Sequence, residues 1–149
     1  LLVSRTFSKA YGLAALRVGY AISSLDIAEV LNRVRQPFNV NSLALVAACA
    51  ALQDQDYLER SRDNNKQGMQ QLEAGFKKLG LSWLPSKGNF IAVEFQGDAA
   101  AINQALLEQG VIVRPVAGYG MANFLRVSIG TATENQRFLD VLTQVLQQD

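Results

Sequence analysis

The residues with the clearest chemical potential lie in the first twenty positions of the 149-residue chain, LLVSRTFSKAYGLAALRVGY. An apolar, β-branched run leads to Ser8 and Lys9, and Arg17 stands at the start of a second apolar run. A lysine amine can condense with an aldehyde to form a Schiff base, and a guanidinium can hold a phosphate in a bidentate fork. A cofactor that carries both an aldehyde and a phosphate needs such a pair. We therefore expect this segment to bind pyridoxal phosphate (PLP).

For this chemistry the Lys9 amine must be neutral when it attacks the aldehyde, and nearby positive charge, such as that of Arg17, favours the neutral form. Once substrate has displaced it, the same amine can move a proton between the substrate Cα and the cofactor C4′. PLP itself supplies the electron sink. The alternative is that Lys9 is a solvated surface lysine, as most lysines are.

The elements that must position these residues begin with two strands and continue with helices. Short apolar, β-branched runs indicate strands on either side of the lysine segment. Longer stretches with helical periodicity, a cap at Asn41 or Ser42 and a stop at Gly80 indicate helices. The predicted elements are strands at 1–7 and 16–22 and helices at 27–35, 43–53 and 56–79.

The second half of the chain predicts a small α/β unit with the order strand, strand, helix, strand, strand, helix. Thr133 is predicted to cap the last helix, and a Gly-rich loop around Tyr119 joins the last two strands. The predicted strands are 81–84, 90–95, 111–116 and 124–129, with helices at 98–109 and from 133 onward.

Composition excludes several classes of protein. The hydrophobic content of 49% and charged content of 18% indicate a globular chain. The net charge of +1, without a basic or acidic block, gives no indication of nucleic acid or an anionic membrane as partner. The longest nearly apolar run, 43–52, is too short to span a bilayer. Because there is no histidine, Ser-His and Cys-His pairs and His-ligated metal sites are excluded, and we expect no metal.

The start of the chain suggests an expectation about its origin. Leu1 stands inside a predicted strand and there is no initiator methionine, so we expect the C-terminal portion of a longer protein. The first residues lack the basic segment and cleavage site of a signal peptide. The single Cys49 cannot form an internal disulfide, and its expected role is packing. A cytoplasmic location fits these features.

Four ordered segments resemble the fold-type-I PLP-dependent aminotransferases, and within them the histidinol-phosphate aminotransferase family. They read SRTFSKAYGLAALRVGY, QPFNVNSLA, PSKGNFIAVEF and VIVRPVAGYGMANFLRVSIGT, and together they cover essentially the whole chain. The resemblance implies an α/β fold in three parts. These are the tail of a large PLP-binding domain at 1–40, linking helices at 41–65 and a small C-terminal α/β domain at 66–149. Ala15 departs from the family pattern, which often has Gly there.

The resemblance also implies the cofactor contacts. Lys9 is the residue that binds PLP covalently, and Ser8 and Arg17 hold its phosphate. Ser4 is a weaker phosphate candidate, since its hydroxyl could as easily satisfy the end of a strand.

The substrate contacts follow from the same resemblance. Arg126, in FLRVSIG, is the arginine that grips the acidic end of the substrate, and Arg114 is a second anion contact. Alternatively, Arg126 is exposed on an edge strand and Arg114 points to solvent. Asn39 and Tyr119 are expected to line the substrate cleft, unless they are only turn residues.

The implied reaction is transfer of an amino group between L-histidinol phosphate and 2-oxoglutarate, giving imidazole acetol phosphate and L-glutamate in histidine biosynthesis, by a homodimer. An aromatic amino-acid aminotransferase and a threonine-phosphate decarboxylase-like enzyme remain alternatives, because phosphate and carboxylate both accept a bidentate fork. In a different class, the chain alone is a truncated domain without activity.

Overall fold

The computed structural model describes residues 1–147. The chain folds into two compact units, Leu1–Arg62 and Asp63–Asp149. In the first unit, two strands form an antiparallel hairpin whose connecting loop contains the lysine segment. Helices follow it, and the third helix contributes residues to both units. The elements are β1 (Leu2–Thr6), β2 (Gly19–Ser23), α1 (Leu25–Val34), α2 (Ser42–Gln53) and α3 (Gln55–Lys78).

A small apolar cluster holds the hairpin loop against α2. Phe7 and Val18, at the two ends of the loop, are buried together with Ala44 and Ala48 of α2. The short alanine side chains let the loop approach the helix closely. The ring of Tyr11 lies 4.9 Å from that of Phe7, measured between centroids, and extends the cluster. The lysine loop is therefore fixed at both ends by burial of apolar surface.

The second strand is shorter than the sequence predicts. It begins at Gly19, whereas the pattern predicts a strand from residue 16. The reason is a 3-10 turn at Ala14–Leu16, after which Arg17 takes a left-handed conformation with φ of 53°. Regular pairing cannot start until the chain has left this turn.

The second unit contains a four-stranded antiparallel sheet with the order β3-β4-β6-β5. The order strand, strand, helix, strand, strand, helix predicted from the sequence is confirmed. The elements are β3 (Ser82–Leu84), β4 (Phe90–Glu94), α4 (Ala100–Glu108), β5 (Arg114–Pro115), β6 (Phe124–Ser128) and α5 (Ala132–Leu146).

The prediction of a strand over residues 111–116 is wrong in length, since β5 has only two residues. The N–H of Val111 donates to the carbonyl of Leu106 at 2.9 Å, and Gly110 has a φ of 73°. These features end α4 and keep Val111 from joining the sheet. Pro115 has no N–H for a further ladder bond. The strand is therefore limited from both sides.

Helices cover one face of this sheet. Strand residues that alternate along β4 and β6 are buried against side chains of α3, α4 and α5. Their neighbours of opposite parity, including Arg126, lie on the other face. The principal buried side chains are Leu72, Phe76, Ile91, Val93, Leu106, Leu125, Val127, Phe138 and Leu142. No helix within residues 1–147 has both the length and the apolar character needed to cross a bilayer.

The cap of α5 is Thr131, so the prediction of Thr133 is wrong. The hydroxyl of Thr131 accepts a hydrogen bond from the N–H of Glu134. The carboxylate of Glu134 accepts in return from the Thr131 N–H at 2.7 Å and from its hydroxyl at 2.8 Å. This reciprocal arrangement is a capping box. Thr131 with Glu134 and Thr133 with Gln136 both have the required spacing, and the structure uses the first pair.

A hydrogen-bond network joins α3 to the turn that leads into α5. Asn135, whose relative exposure is 2%, accepts from the Gly130 N–H at 3.0 Å and donates to the Gln71 side chain at 3.3 Å. Gly68 leaves room for this amide, because a Cβ there would lie 2.8 Å from Asn135 Nδ2 and 2.5 Å from Ile129 Cγ2. The end of β6 is thus anchored to α3.

Glu134→Gln is expected to flatten the pH dependence of stability in acid. Hydrogen bonds from the Thr131 backbone N–H, and then from its hydroxyl, lower the pKa of Glu134 below its ordinary 4.5. A lowered folded-state pKa gives stability that is present above the unfolded pKa and lost as pH falls through the folded pKa. Urea unfolding followed by fluorescence of the single Trp83 measures this slope below about pH 5. The control is Asp63→Asn, because the Asp63 carboxylate is exposed and makes no side-chain hydrogen bond among the described residues. Equal slopes for the wild type and Glu134→Gln would contradict the lowered pKa of Glu134.

Gly68→Ala is expected to destabilise the second unit by about 1–3 kcal/mol, because the added methyl group displaces Ile129 and the Asn135 amide. This loss exceeds the gain of about 1 kcal/mol that alanine brings in a helix interior. Urea denaturation measures the difference. Gln67→Ala, on the exposed side of the same helix, is the control and should change stability by less than about 0.5 kcal/mol. A stabilised Gly68→Ala variant would show that the helix contact is looser than described.

Candidate functional site

In the loop that joins β1 to β2, Lys9 lies in a turn that is closed by backbone hydrogen bonds. The carbonyl of Lys9 accepts from the Gly12 N–H at 2.9 Å, and the carbonyl of Phe7 accepts from the Leu13 N–H at 2.9 Å. Gly12 has a φ of 71°, and a Cβ there would lie 2.6 Å from the Tyr57 hydroxyl oxygen. The side chain of Lys9 is exposed. The backbone under this amine is therefore fixed while the amine itself is accessible.

Two of the predicted phosphate contacts lie on the same loop as Lys9. Ser8 is half-buried, and its N–H donates to the Thr6 hydroxyl at 3.0 Å. Arg17 is exposed, and its Nη1 donates to the Ala14 carbonyl at 2.8 Å. Ser4 lies instead in the middle of β1, opposite Ala21. The loop thus carries an amine, a hydroxyl and a guanidinium, the donor types that suit a phosphorylated aldehyde.

The backbone of Arg17 is held in a conformation that L-residues rarely adopt. Its φ of 53° and ψ of 50° place it in the left-handed region, at a cost of about 1–2 kcal/mol. The Asn41 amide, whose oxygen accepts from the Ala44 N–H at 2.8 Å, donates to the Leu16 carbonyl at 3.4 Å. Asn41 therefore caps α2, as predicted, and also braces the residue before Arg17. A residue keeps such a strained backbone conformation only where the surrounding structure enforces it.

In the second unit, Arg126 lies on the sheet face opposite the helices. Its strand, β6, is an inner strand between β4 and β5, so the alternative of an edge-strand arginine is wrong. Arg126 is opposite Ala92 on one side and Arg114 on the other. The small side chain of Ala92 leaves space for a long neighbour, so the guanidinium can lie along the sheet.

The guanidinium of Arg126 stacks on an aromatic ring, and it has no polar partner within residues 1–147. Its carbon lies 4.7 Å from the centroid of the Phe90 ring. Arg126 Nε is buried and has no hydrogen-bond partner among the described residues. A buried donor without an acceptor costs about 1–3 kcal/mol. An anion placed beside this guanidinium would remove that cost.

Arg114 adds a second positive charge to the same face. It is exposed and pairs directly with Arg126 across the two strands. Like charges in this position destabilise a sheet. Within residues 1–147 neither arginine forms a salt bridge. The two guanidinium groups, one on each strand, are therefore suited to bind the same external anion by bidentate hydrogen bonds.

The two remaining predicted contacts lie in exposed turns. Asn39 follows Phe38, which has a φ of 55°, in the connection between α1 and α2. Tyr119 is 69% exposed and lies in a 3-10 turn at Ala117–Tyr119. In the part of the chain that the structure describes, neither side chain makes a hydrogen bond, so their assignment as substrate contacts stays a prediction.

Phe90 is a site residue that the sequence interpretation missed. Its ring position depends on the register of β4 against β6, which pairs Phe90 with Ser128 and Ala92 with Arg126. The signal in the sequence was the alternation FIAVEF, which places Phe90 and Ala92 on one face. That pattern alone did not show which strand would lie beside it.

Comparison with known proteins places this chain in a family. The model described as aminotransferase class I and II matches residues 1–142. Histidinol-phosphate aminotransferase 2 of Pseudomonas aeruginosa is 72% identical over 149 residues, and the match covers 100% of this chain and 40% of that protein. The enzyme of the same name from Pseudomonas fluorescens is 70% identical over 146 residues, covering 98% and 40%. The chain thus spans 40% of the length of these relatives.

A solved structure shows the same fold. Histidinol-phosphate aminotransferase from Sinorhizobium meliloti, in complex with pyridoxal-5′-phosphate, is 33% identical and superposes with a TM-score of 0.89 over 99% of this chain and 41% of that one. The α/β fold of the fold-type-I PLP-dependent transferases, predicted from the four segments, is confirmed. The family model matches nearly the whole length of this chain, which therefore belongs to the class I and II aminotransferases.

Proposed function

We propose that this chain supplies the cofactor lysine and the substrate arginines of a PLP-dependent transaminase that acts on L-histidinol phosphate and 2-oxoglutarate. The products are imidazole acetol phosphate and L-glutamate. The observation that carries the proposal is the cross-strand pair of Arg114 and Arg126, two cations without a carboxylate partner within residues 1–147.

The charge of this pair favours a phosphate substrate. A phosphate monoester carries a charge of about −1.5 to −2 at pH 7, which balances two guanidinium groups. A single carboxylate carries a charge of only about −1, which balances one guanidinium and leaves the other uncompensated. This argues against an aromatic amino acid as the preferred substrate. The names of the curated relatives support transamination over decarboxylation of a phosphorylated amino acid.

The residues of the lysine loop fit PLP. Lys9 Nζ would hold the cofactor aldehyde carbon, and Ser8 and Arg17 would hold its phosphate, with Ser4 as a further candidate. When bound, PLP supplies the electron sink that makes the substrate Cα–H acidic. The Lys9 amine would then take the proton from the substrate Cα and deliver it to the cofactor C4′. The fixed turn beneath Lys9 restricts where the amine can reach.

The proposal includes a homodimer in the cytoplasm. Large apolar side chains of α1 and α2 are exposed in this chain, including Leu25 at 82%, Val34 at 71% and Val46 at 70%. Exposed apolar surface of this kind is typical of a face that another part of the protein or a second copy covers. Because the chain spans 40% of its relatives, we expect the remaining cofactor contacts to come from sequence that it does not contain, and the 149-residue chain alone to show no turnover.

Lys9 is expected to be the lysine that PLP labels. The chain is mixed with stoichiometric PLP, reduced with borohydride, digested and mapped by mass spectrometry. The adduct should lie mainly on Lys9, and Arg17→Ala should lower its yield because the phosphate loses its guanidinium. Arg5→Ala removes a neighbouring exposed cation as the matched control. Labelling mainly at Lys66, Lys77, Lys78 or Lys87 would overturn the cofactor assignment.

Turnover is expected in a chimera in which this chain replaces the matched 149 residues of the Pseudomonas aeruginosa relative. The chimera should prefer histidinol phosphate to phenylalanine. Arg126→Gln should raise KM for histidinol phosphate about 10- to 100-fold, because a charged hydrogen bond contributes about 1.5–3 kcal/mol. Arg62→Gln, an exposed α3 arginine, is the control. Preference for phenylalanine, or an unchanged KM in Arg126→Gln, would contradict the proposed substrate.

A further inference from the structure

We propose that Asn123 is a positioning residue that holds the Glu94 carboxylate away from Arg126 and so keeps that arginine available to an anion. This inference rests on the anion-binding role proposed for Arg126. It adds to that role a reason why the charge is not neutralised within the sheet.

Glu94 lies on the same face of the sheet as Arg126, on the diagonal opposite to Phe90. The register pairs Ala92 with Arg126, so Phe90 and Glu94 are the two diagonal neighbours of the arginine on the same face of the sheet. Diagonal neighbours of an antiparallel pair lie within reach of long side chains. On one diagonal the Phe90 ring covers the guanidinium. On the other, a carboxylate would ordinarily pair with it.

The structure shows a different partner for this carboxylate. Glu94 Oε1 accepts a hydrogen bond from Asn123 Nδ2 at 2.9 Å in a partly buried position. No salt bridge between Glu94 and Arg126 occurs in the described part of the chain. Glu94 is therefore engaged by a neutral donor on the same sheet face as Arg126.

Asn123 is itself fixed to the strand that carries Glu94. Its backbone carbonyl accepts from the Phe95 N–H at 2.8 Å, one residue beyond Glu94. This backbone bond keeps the Cα of Asn123 next to the strand that carries Glu94, so the side-chain amide needs only one hydrogen bond to reach the carboxylate. Asparagine offers a donor without a charge, so it engages Glu94 without adding a third cation to a face that already has Arg114 and Arg126.

The consequence concerns the affinity for anions. A substrate phosphate meets a guanidinium with free donors and need not displace an internal carboxylate. Without the Asn123 amide, Glu94 gains the freedom to pair with Arg126, and the phosphate must then break that ion pair. A partly exposed pair of this kind is expected to lower phosphate affinity about three- to fivefold.

The test is a titration of the 149-residue chain with inorganic phosphate, followed by the NMR signal of the Arg126 Nε–H. Arg126→Gln identifies the signal, because the signal is absent from the spectrum of this variant. Asn123→Ala should weaken phosphate binding about three- to fivefold. Asn123→Ala combined with Glu94→Gln should restore it, because the competing charge is gone. A purely structural role of Asn123 would not be rescued by neutralising Glu94.

Asn103→Ala, the same substitution on α4, is the matched control and should leave the affinity unchanged. Unchanged binding in Asn123→Ala, or a loss that Glu94→Gln does not rescue, would overturn the inference. If Asn123→Ala fails to fold, Glu94→Gln alone decides. A change below about twofold supports a carboxylate that is already held away, and a gain of about twofold or more contradicts it. An inactive chimera would refute the proposed function without altering these phosphate affinities.

Discussion

Within residues 1–147 the charge of Arg126 has no carboxylate partner, and the proposed anion-binding face, formed by Arg114 and Arg126, depends on this constraint. The neighbours of Arg126 along β6, Leu125 and Val127, are buried under the helices on the opposite face. A slip of one residue in the register would turn Arg126 into that core and expose both apolar side chains. Burial of each such side chain contributes about 1.5–3 kcal/mol. The hydrophobic core therefore fixes where the charge points.

The lysine loop depends on the same kind of constraint. Phe7 and Val18 are buried against the alanines of α2, and the residues between them cannot leave without exposing that cluster. The N–H of Phe7 donates to the Val18 carbonyl at 3.2 Å and closes the loop. In each unit, apolar residues thus determine the position of the cations that we propose take part in the chemistry.

The sequence predicted most elements because their signals are local. Periodicity, caps and glycine stops located the helices and the long strands, and the Thr-x-x-Glu spacing at Thr131 was also visible although Thr133 was chosen. The short β5 was not predictable in this way, since its length depends on how α4 ends.

The geometry of the anion-binding face was even less accessible from the sequence. Arg114 and Arg126 were each singled out, but their direct pairing follows from the register of two strands that are distant in sequence. The position of Phe90 over the guanidinium and the bond from Asn123 to Glu94 require the same register. Residue types reveal which chemistry is available, whereas non-local pairing determines which residues meet.

A transaminase of the proposed kind must accept two different anions in turn at one site, a phosphate monoester and a dicarboxylate. An arginine already paired with an internal carboxylate would have to break that pair in each half-reaction. The face described here instead gives Arg126 an aromatic neighbour and keeps Glu94 bonded to a neutral amide. A ring attracts the cation without occupying its hydrogen-bond donors. The charge is thereby held in place and remains available, which suits exchange between ligands of unequal charge better than a fixed ion pair would.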